Sequence, residues 1–293
     1  MEATTPAYPT RLSDTQWETL AVYFAADSQL GRPRNTHLPA VVEAILYVLS
    51  AGSGACCRGS FRLGRPSMAT SHPGATRAVG SAFTATYAGG VRLSRKRQQS
   101  PWVAIADTQS VPLGCLTHRA GDVDGGKRVK GRKRYLLVES MGLLLAVVVT
   151  AAKISDQQGL PPLWRPLQFQ GGWFHRLGLI WGDRGYGGDM LFEWVLEHFH
   201  CMLEVLEHPR GHGFRWVSRR WVVERTLAWI SRCRRLSQDD EKIPPASETF
   251  IYLAMILFML KRLAGTSKNQ PLLQTPNGIM GIIALYYCKS TKF

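Results

Sequence analysis

Three carboxylates stand where the sequence pattern could bring them together. Asp107 and Asp183 each follow a short apolar run that predicts a strand, and Glu224 lies in a predicted helix. Active sites of open α/β sheets form at the carboxyl ends of strands, where loops bring side chains together. Three such carboxylates repel each other unless cations share them, and two Mg²⁺ ions would satisfy them. Two ions of this kind support an in-line phosphoryl displacement by a water or a 3′-hydroxyl.

Each of these carboxylates also has an ordinary structural interpretation. An aspartate at the end of a strand is commonly a loop residue or a helix cap. Glu224 follows Arg220 by one helical turn, and such a pair often lies on a solvated helix face. The apolar residues of this helix fall opposite Glu224, however, and basic residues lie beside it. A surface pair leaves the six arginines between Arg219 and Arg235 unexplained.

The overall charge favours a polyanionic partner. The 293-residue chain has 36 Lys and Arg residues against 21 Asp and Glu residues, which gives a formal net charge of +15. Nucleic acid is the usual partner of such an excess, because each cation can neutralise a phosphate. We therefore predict contacts to DNA from a first basic cluster, Lys127, Arg128, Lys130, Arg132, Lys133 and Arg134, and from a second, Arg220, Arg225, Arg232 and Arg235. A solvated charged loop is the alternative for the first cluster.

The second half of the chain predicts an α/β fold with a mixed sheet and flanking helices. The indicated strands are Val103–Ala106, Tyr135–Glu139, Leu143–Ala151, Leu177–Trp181 and Met202–Leu206, and the indicated helices are Asp189–Phe199 and Arg220–Leu236. Ser140–Gly142 has the composition of a hairpin turn. A short helix interrupted by proline is indicated from Asp156 to Phe169. Asp156 either begins that helix or stands near the three carboxylates.

Residues 1–50 predict a small helical region. Ser13 and Gln16 make a capping-box signature before a first helix, and Leu38–Leu49 carries the apolar face of a second. The basic linker Gly31–Arg34 is either an arm that enters a minor groove or a plain solvated linker.

Residues 51–101 predict no folded structure of their own. The interval is rich in Gly, Ser, Ala and Arg, and it shows no steady strand or helix period. Such a composition offers little apolar area to offset the entropy of ordering the chain. We therefore expect this interval to be disordered, and we expect residues 264–293 to form a tail.

Four motifs in order point to a known family. They are IADTQSV at Ile105–Val111, GGKRVKGRKRYLLV at Gly125–Val138, WGDRGYG at Trp181–Gly187 and RWVVERTLAWISRCRR at Arg220–Arg235. The chain resembles the Asp-Asp-Glu transposases of bacterial insertion sequences over Trp102–Leu263. The branch is the insertion-sequence-five-like one of the insertion-sequence-four superfamily. Val217 replaces a Tyr of the family pattern, and Ser231 replaces a Lys for which Arg232 is the substitute.

The resemblance implies an RNase H-like catalytic domain at residues 102–263, preceded by a helical DNA-binding region at residues 1–50. It implies that Asp107, Asp183 and Glu224 are the catalytic and metal-binding triad, with two Mg²⁺ or Mn²⁺ ions as cofactors. The implied activity is metal-dependent DNA strand cleavage and strand transfer of an insertion sequence. The implied partners are DNA, as element ends and target, and a second copy of the chain in a homodimer.

Two alternatives to an active transposase stay open. One is a non-catalytic DNA-binding remnant, and the other is an RNase H-like nuclease without strand transfer. The family carries a Trp-containing helical segment where residues 51–101 stand, and this interval contains no Trp. The interval is therefore either translated between two compensating frameshifts or a true insertion.

We expect the protein to be cytoplasmic and associated with the nucleoid. Met1–Thr10 has no apolar segment of the secretory type. The longest apolar runs, Leu143–Ala152 and Ile251–Leu260, are about half as long as the ~20 residues of a membrane helix. The cysteines form no CxxC pair, and the cluster His198, His200, Cys201, His208 and His212 matches no standard zinc spacing.

Overall fold

The computed structural model describes residues 10–21, 37–51, 73–114, 122–168, 170, 174–206 and 221–264, with backbone alone for 73–79. The helices are α1 (Asp14–Ala21), α2 (Leu38–Ala51), α3 (Pro73–Ser94), α4 (Asp156–Gly159), α5 (Trp164–Gln168), α6 (Asp189–Phe199), α7 (Trp221–Ser231) and α8 (Pro244–Ala264). The strands are β1 (Val103–Pro112), β2 (Asp122–Asp124), β3 (Val129–Glu139), β4 (Leu144–Ala151), β5 (Leu179–Gly182) and β6 (Met202–Val205). Among the described residues, no helix is long and apolar enough to cross a membrane.

The strands form one mixed sheet, as the sequence predicts. β3 is antiparallel to β1 along one edge and to β2 and β4 along the other. β5 is parallel to β1, and β6 is parallel to β5. The parallel half of the sheet therefore joins the antiparallel half at β1, which is the strand that carries Asp107.

Helices cover both faces of the sheet because successive strand residues point to opposite sides. Ile105, Leu136 and Val147 pack on one face with side chains from α2, α3, α7 and α8. Ala106 and Tyr135 pack on the other face with α5 and α6. The near-continuous burial of β3 and β4 follows from this cover on both sides.

The two N-terminal helices share the larger of these cores. Gln16 N–H donates to Ser13 Oγ at 3.3 Å and Ser13 N–H donates to Gln16 Oε1 at 2.9 Å, so the capping box forms. Leu20 of α1 and Leu49 of α2 are buried in the core that contains Ile105 of β1. The helices α1 and α2 therefore contribute a layer to the main fold, and the DNA binding predicted for residues 1–50 stays a prediction. Gly31–Arg34 lies outside the described residues.

The expectation of disorder is wrong for part of residues 51–101. Pro73–Ser94 forms α3, and its residues Tyr87 and Ala88 are fully buried. Small residues let α3 approach α8 closely, since a Cβ on Gly80 would lie 2.9 Å from the ring of Tyr252. Apolar side chains of α8 pack against α3 and bury it, although α3 has few large apolar side chains of its own. The frameshift hypothesis stays a prediction, as does the tail after residue 264, which lies outside the described residues.

The strands that surround the aspartates are longer or shorter than predicted. β1 continues past Asp107 to Pro112, because β3 pairs with it as far as Gly131. β3 in turn begins at Val129, so the basic run Lys130–Arg134 lies in a strand, although the sequence indicated a loop. The predicted long helix at Arg220–Leu236 ends at Ser231 and is followed by a 3₁₀ turn at Arg234–Leu236.

Candidate active site

Asp107 and Asp183 stand at the point where the parallel pairing of β1 and β5 ends. The last parallel pair is Ile105 with Trp181. Each aspartate follows its member of that pair by two residues, so the two lie at corresponding positions on neighbouring chain segments. Asp107 is in the middle of β1, opposite Leu136 of β3, and is therefore not at a strand end as predicted. Asp183 does follow the end of β5 and caps the next turn, where it accepts from Gly185 N–H at 3.0 Å.

Tyr186 is a buried residue of the turn that Asp183 caps. Its side chain is fully buried, and its hydroxyl has no hydrogen-bond partner among the described residues. Burial raises the pKa of this hydroxyl well above its ordinary value, and the negative charges of Asp107, Asp156 and Asp183 raise it further. The sequence alone assigns Tyr186 no role, because nothing in a tyrosine three residues after an aspartate shows that it is buried.

Asp156 begins a helix and lies near Asp183. Ser155 caps α4 with a complete capping box, which fixes Asp156 as the first helical residue. One carboxylate oxygen of Asp156 accepts from Lys133 Nζ at 3.3 Å and from Thr108 Oγ1 at 3.3 Å. Thr108 is the neighbour of Asp107 in β1. Asp156 thus begins a helix, as the sequence indicates, and it lies near Asp183, whereas its nearness to a complete triad stays a prediction.

Glu224 lies on the helix that covers the Asp107 face of β1. Gln109, on the same face of β1 as Asp107, donates to Ser231 Oγ of α7 at 3.1 Å. Ser231 is seven residues after Glu224, so the two side chains project from the same side of α7. Glu224 is exposed. The next two residues, Arg225 and Thr226, contact the turn between β3 and β4, and the assignment of Glu224 to the site of Asp107 stays a prediction.

The donor set fits a hard divalent cation. Asp107, Asp156 and Asp183 offer carboxylate oxygens, which are the ligands that Mg²⁺ prefers. Asp107, Asp183 and Glu224 are the predicted ligands, and that assignment stays a prediction. Over the described part of the chain, no three His, Cys, Asp or Glu side chains are close enough together to hold one metal ion.

Three cations of the first basic cluster are on the surface. Lys127, Arg128 and Lys130 are exposed at the turn that joins β2 to β3. Lys127 Nζ donates to the backbone oxygen of Thr108 at 3.1 Å, which places this turn beside the strand of Asp107. The DNA contacts predicted for these three residues stay a prediction.

The other three cations of that cluster are used inside the protein. Arg132 donates to Asp239 Oδ1 at 3.0 Å, and Lys133 lies between Asp124 and Asp156. Arg134 is fully buried and donates to the backbone oxygen of Leu236 at 2.8 Å. Burial lowers the pKa of Arg134 to about 10, a shift that Asp239 opposes. These cations lie in β3 and have internal partners, and their predicted DNA contacts are therefore not part of the proposed function.

The described arginines around Glu224 also include both internally bonded and exposed residues. Arg225 is stacked between Trp221 and Trp229 and donates to the backbone oxygen of Met141 at 2.8 Å. Arg235 pairs with Glu241 at 2.6 Å. Arg232 is exposed at the end of α7, where it can meet a phosphate. Arg220 lies outside the described residues.

His198 and Cys201, two members of the cluster considered for zinc, pack against or within the protein interior. His198 stacks on Trp194 with ring centroids 4.2 Å apart. Cys201 and Cys233 are buried free thiols. His208 and His212 lie outside the described residues.

Comparisons with known proteins identify the family of the chain. Residues 98–259 match the family model of the transposase DDE domain, which is more than half of the chain. A protein of Burkholderia cepacia, named as a transposase for insertion sequence element IS402, is 28% identical over 131 residues. The alignment covers 43% of this chain and 62% of that relative, so the chain spans less than two thirds of the relative's length. Since the match to the family model covers more than half of the chain, the chain belongs to the transposase DDE domain family, whose members act on DNA and generally use divalent metal ions.

Proposed function

We propose that the protein is an insertion-sequence transposase that cleaves DNA at the ends of its element and joins the freed ends to a target. The domain is proposed to be RNase H-like and to belong to the insertion-sequence-five-like branch. One observation carries the proposal. Asp107 and Asp183 occupy matching positions two residues past the last parallel pair, within the residues that match the family.

The chemistry is two successive phosphoryl transfers without a covalent enzyme intermediate. In the first, a water oxygen bonds to phosphorus while the bond from phosphorus to the 3′-oxygen breaks, which leaves a 3′-hydroxyl and a 5′-phosphate. In the second, that 3′-hydroxyl attacks a target phosphodiester and displaces the target's 3′-oxygen, so one phosphodiester replaces another. Divalent ions, two Mg²⁺ or Mn²⁺, supply activation of the attacking oxygen and stabilisation of the leaving oxygen. Asp107, Asp183 and Glu224 would hold these ions.

The surface cations position the DNA. Lys127, Arg128 and Lys130 at the β2–β3 turn, Arg232 at the end of α7 and Arg220 before α7 are proposed to contact phosphates. Each such contact is independent of base sequence and depends on salt. Lys127 Nζ donates to a backbone oxygen of β1, which also carries Asp107. We therefore propose that DNA bound at this turn runs past the carboxylates.

We further propose that two copies act together in the cell at the nucleoid. Transposition requires two element ends to be held at once, and a symmetric homodimer provides two equal sites. A nuclease that cuts the ends without joining them, and a remnant that binds DNA without cutting, are the alternatives that the experiment below separates.

The test is cleavage of DNA that carries the sequences flanking the gene. Asp107→Ala, Asp183→Ala and Glu224→Ala should each abolish cleavage with Mg²⁺ or Mn²⁺ while DNA binding, measured by gel shift, is retained. Ca²⁺ should not support cleavage, because it takes oxygen ligands in a looser geometry. Cleavage that survives in any of the three variants would remove that residue from the triad. Binding without cleavage in the parent would favour the remnant.

A further inference from the structure

The turn between β3 and β4, residues 140–142, lies directly on α7. Thr226 of α7 is fully buried, and its hydroxyl donates to the backbone oxygen of Gly142 at 2.7 Å. Gly142 has a φ of +80°, and a Cβ at this position would lie 2.7 Å from Thr226 Oγ1. Glycine is required here because it adopts the left-handed backbone without strain and lets the turn approach the helix this closely.

Arg225, the residue before Thr226, is bonded to the same turn. Its Nη2 donates to the backbone oxygen of Met141 at 2.8 Å. Its guanidinium carbon lies 4.2 Å from the centre of the Trp221 ring and 4.8 Å from the centre of the Trp229 ring. Because a planar guanidinium stacked on aromatic rings has few other orientations, the bond to Met141 is held in one geometry.

The turn itself is held by a buried carboxylate at the end of β3. Glu139 is fully buried, and its Oε1 accepts from the backbone N–H of Met141 at 2.8 Å and from that of Leu143 at 3.1 Å. Arg92 of α3 pairs with the other oxygen of Glu139. A buried polar network that is satisfied in this way makes the backbone around it rigid. α7 therefore packs against a rigid support.

The bonds to this support fix how α7 is rotated about its own axis at Glu224. Successive residues of a helix project about 100° apart, so the two residues after Glu224 determine the direction of its side chain. Farther along α7, Ser231 Oγ accepts from Gln109 of β1 at 3.1 Å, and Ser231 projects from the same side of the helix as Glu224. That side of α7 is thus bonded at its C-terminal end to the strand that carries Asp107.

We infer that Arg225 and Thr226 are positioning residues, which anchor α7 on the β3–β4 turn and thereby set the place of Glu224 in the reaction. The inference rests on the proposed function, which assigns Glu224 to the ions. In this role a contact with the turn replaces the DNA contact that the sequence predicted for Arg225. A reacting group displaced by about 1 Å can lose about 100-fold in rate. Loss of the anchor should therefore slow cleavage without weakening DNA binding.

General destabilisation of the fold is the competing explanation, and the chain contains a matched control for it. Thr86 is a buried threonine of α3 whose hydroxyl donates to the backbone oxygen of Ala82, in its own helix, at 3.1 Å. Thr86→Val and Thr226→Val each change a buried hydroxyl to a methyl group, but only Thr226→Val removes a bond to the β3–β4 turn. Thr226→Ser keeps the hydroxyl and should restore the behaviour of the parent.

The experiment measures single-turnover cleavage of a duplex that carries an element end, with the full chain in excess over DNA, across a Mg²⁺ series. Thr226→Val should lower the maximal rate by about 10- to 100-fold and raise the Mg²⁺ concentration at half-maximal rate, because the support of an ion ligand is lost. Its DNA affinity, measured by gel shift, should equal that of the parent. Thr86→Val should match the parent in all three quantities.

The outcomes separate the inference from the proposed function. If the parent requires Glu224 and Thr226→Val keeps the parent's rate and Mg²⁺ dependence, the inference is overturned and the proposed function is intact. Equal losses in Thr226→Val and Thr86→Val would assign both to destabilisation and would also overturn the inference. A parent without Mg²⁺-dependent cleavage would overturn the proposed function and, with it, this inference.

Arg225→Met provides a second variant of the same anchor. It leaves an apolar side chain between the two tryptophan rings, removes the donor to Met141 and should change the rate and the Mg²⁺ dependence as Thr226→Val does. Arg262→Met is its control, since Arg262 of α8 lies 4.4 Å from the centre of the same Trp229 ring. This control also loses a stacked arginine and should behave as the parent. Equal losses in both variants, or weaker DNA binding by Arg225→Met with the parent's Mg²⁺ dependence, would overturn the positioning role of Arg225.

Discussion

Position in β3 determines what each cation of the basic run does. Lys130 is exposed, whereas Arg132, two residues later, is almost fully buried with four acceptors around its guanidinium. It donates to Asp239 Oδ1 at 3.0 Å, to the backbone oxygens of Glu241 at 2.8 Å and Lys242 at 3.0 Å, and to Ser247 Oγ at 3.3 Å. A guanidinium with five planar donors can satisfy such a set, and a lysine cannot.

Arg132→Ala should therefore destabilise the protein without a direct effect on DNA contact. The substitution leaves the carboxylate of Asp239 buried without its cation, which typically costs about 3–5 kcal/mol of unfolding free energy. Lys130→Ala, at an exposed position of the same strand, should change the unfolding free energy by no more than about 0.5 kcal/mol. Urea unfolding of both variants measures the difference. Equal stability of the two would mean that the internal bonds of Arg132 contribute nothing.

The exposed cations of the β2–β3 turn should instead control DNA affinity. Changing Lys127, Arg128 and Lys130 together to Gln should weaken binding to all DNA sequences alike. The slope of log affinity against log salt should fall by about 0.9 for each phosphate that the variant no longer neutralises. Fluorescence anisotropy over a salt series measures both quantities on a duplex of unrelated sequence and on an element end.

A control with the same change of net charge separates local contact from overall attraction. Arg95, Lys96 and Arg97 are exposed, and Arg97 lies beside Ser140 at the opposite end of β3 from the turn. Their change to Gln should leave the salt slope largely unaltered. Equal slopes for the two triple variants would mean that the turn has no special contact with DNA.

At the scale of elements, α3 and α8 form the contact that closes the larger core. α3 presents small residues, and α8 supplies larger ones such as Tyr252 and Met255, both of which are buried. Arg92 near the end of α3 also pairs with the buried Glu139 at the end of β3. The helix that looked unfoldable in isolation is thus stabilised by side chains from elements far away in the sequence.

Gly80→Leu should test this close helix contact. The new side chain must enter space now held by the buried ring of Tyr252, which lies 2.9 Å from the first added atom. Such overpacking typically costs about 1–3 kcal/mol. Gly125→Leu is the control, because nothing lies within 4 Å of its Cβ position. Thermal unfolding should separate the two variants, and a Gly80→Leu variant as stable as the parent would show that α3 does not pack in this way.

How far the sequence predicts each element depends on where its stabilising partner lies. The helix Asp189–Phe199 has its own apolar face, and its predicted bounds agree with the structure. β3 was predicted too short, because the partners that satisfy Arg132 and Arg134 are distant in the sequence and a basic run without them resembles a loop. α3 was not predicted at all, because its packing area belongs to α8. The local sequence pattern predicts an element correctly only when the apolar residues that bury it belong to that element.

The same reasoning applies to the site. Asp107 and Asp183 were identified because an apolar run precedes each one, and that signal is local. Their relation to Asp156 and Tyr186 could not be predicted, since it depends on the register of β1 with β5 and on burial behind the turn at Gly185. The predicted DNA contacts of Arg132, Lys133 and Arg134 rested on charge alone, which cannot distinguish a surface cation from an internal one.

At the scale of the whole molecule, the excess of basic residues matters as much as any single contact. A net charge of +15 favours attraction of DNA at long range, and the proposal assigns local contacts to the β2–β3 turn and the end of α7. Asp107 and Asp183 each lie two residues beyond the last parallel pair of β1 and β5. This arrangement suits a strand of DNA that must be both held and cut at one place.

Joining of an element end to target DNA tests this account most directly. Short duplexes that carry the flanking sequence with a free 3′-hydroxyl are incubated with the protein, Mg²⁺ and a supercoiled plasmid, and joined products are resolved on a gel. The parent should form covalent joints, and Asp183→Asn should form none. Asp189→Asn, at an exposed position in the first turn of α6, should join as the parent does. Joining that persists in Asp183→Asn, or a parent that cuts but never joins, would contradict the proposal of a transposase acting through these carboxylates.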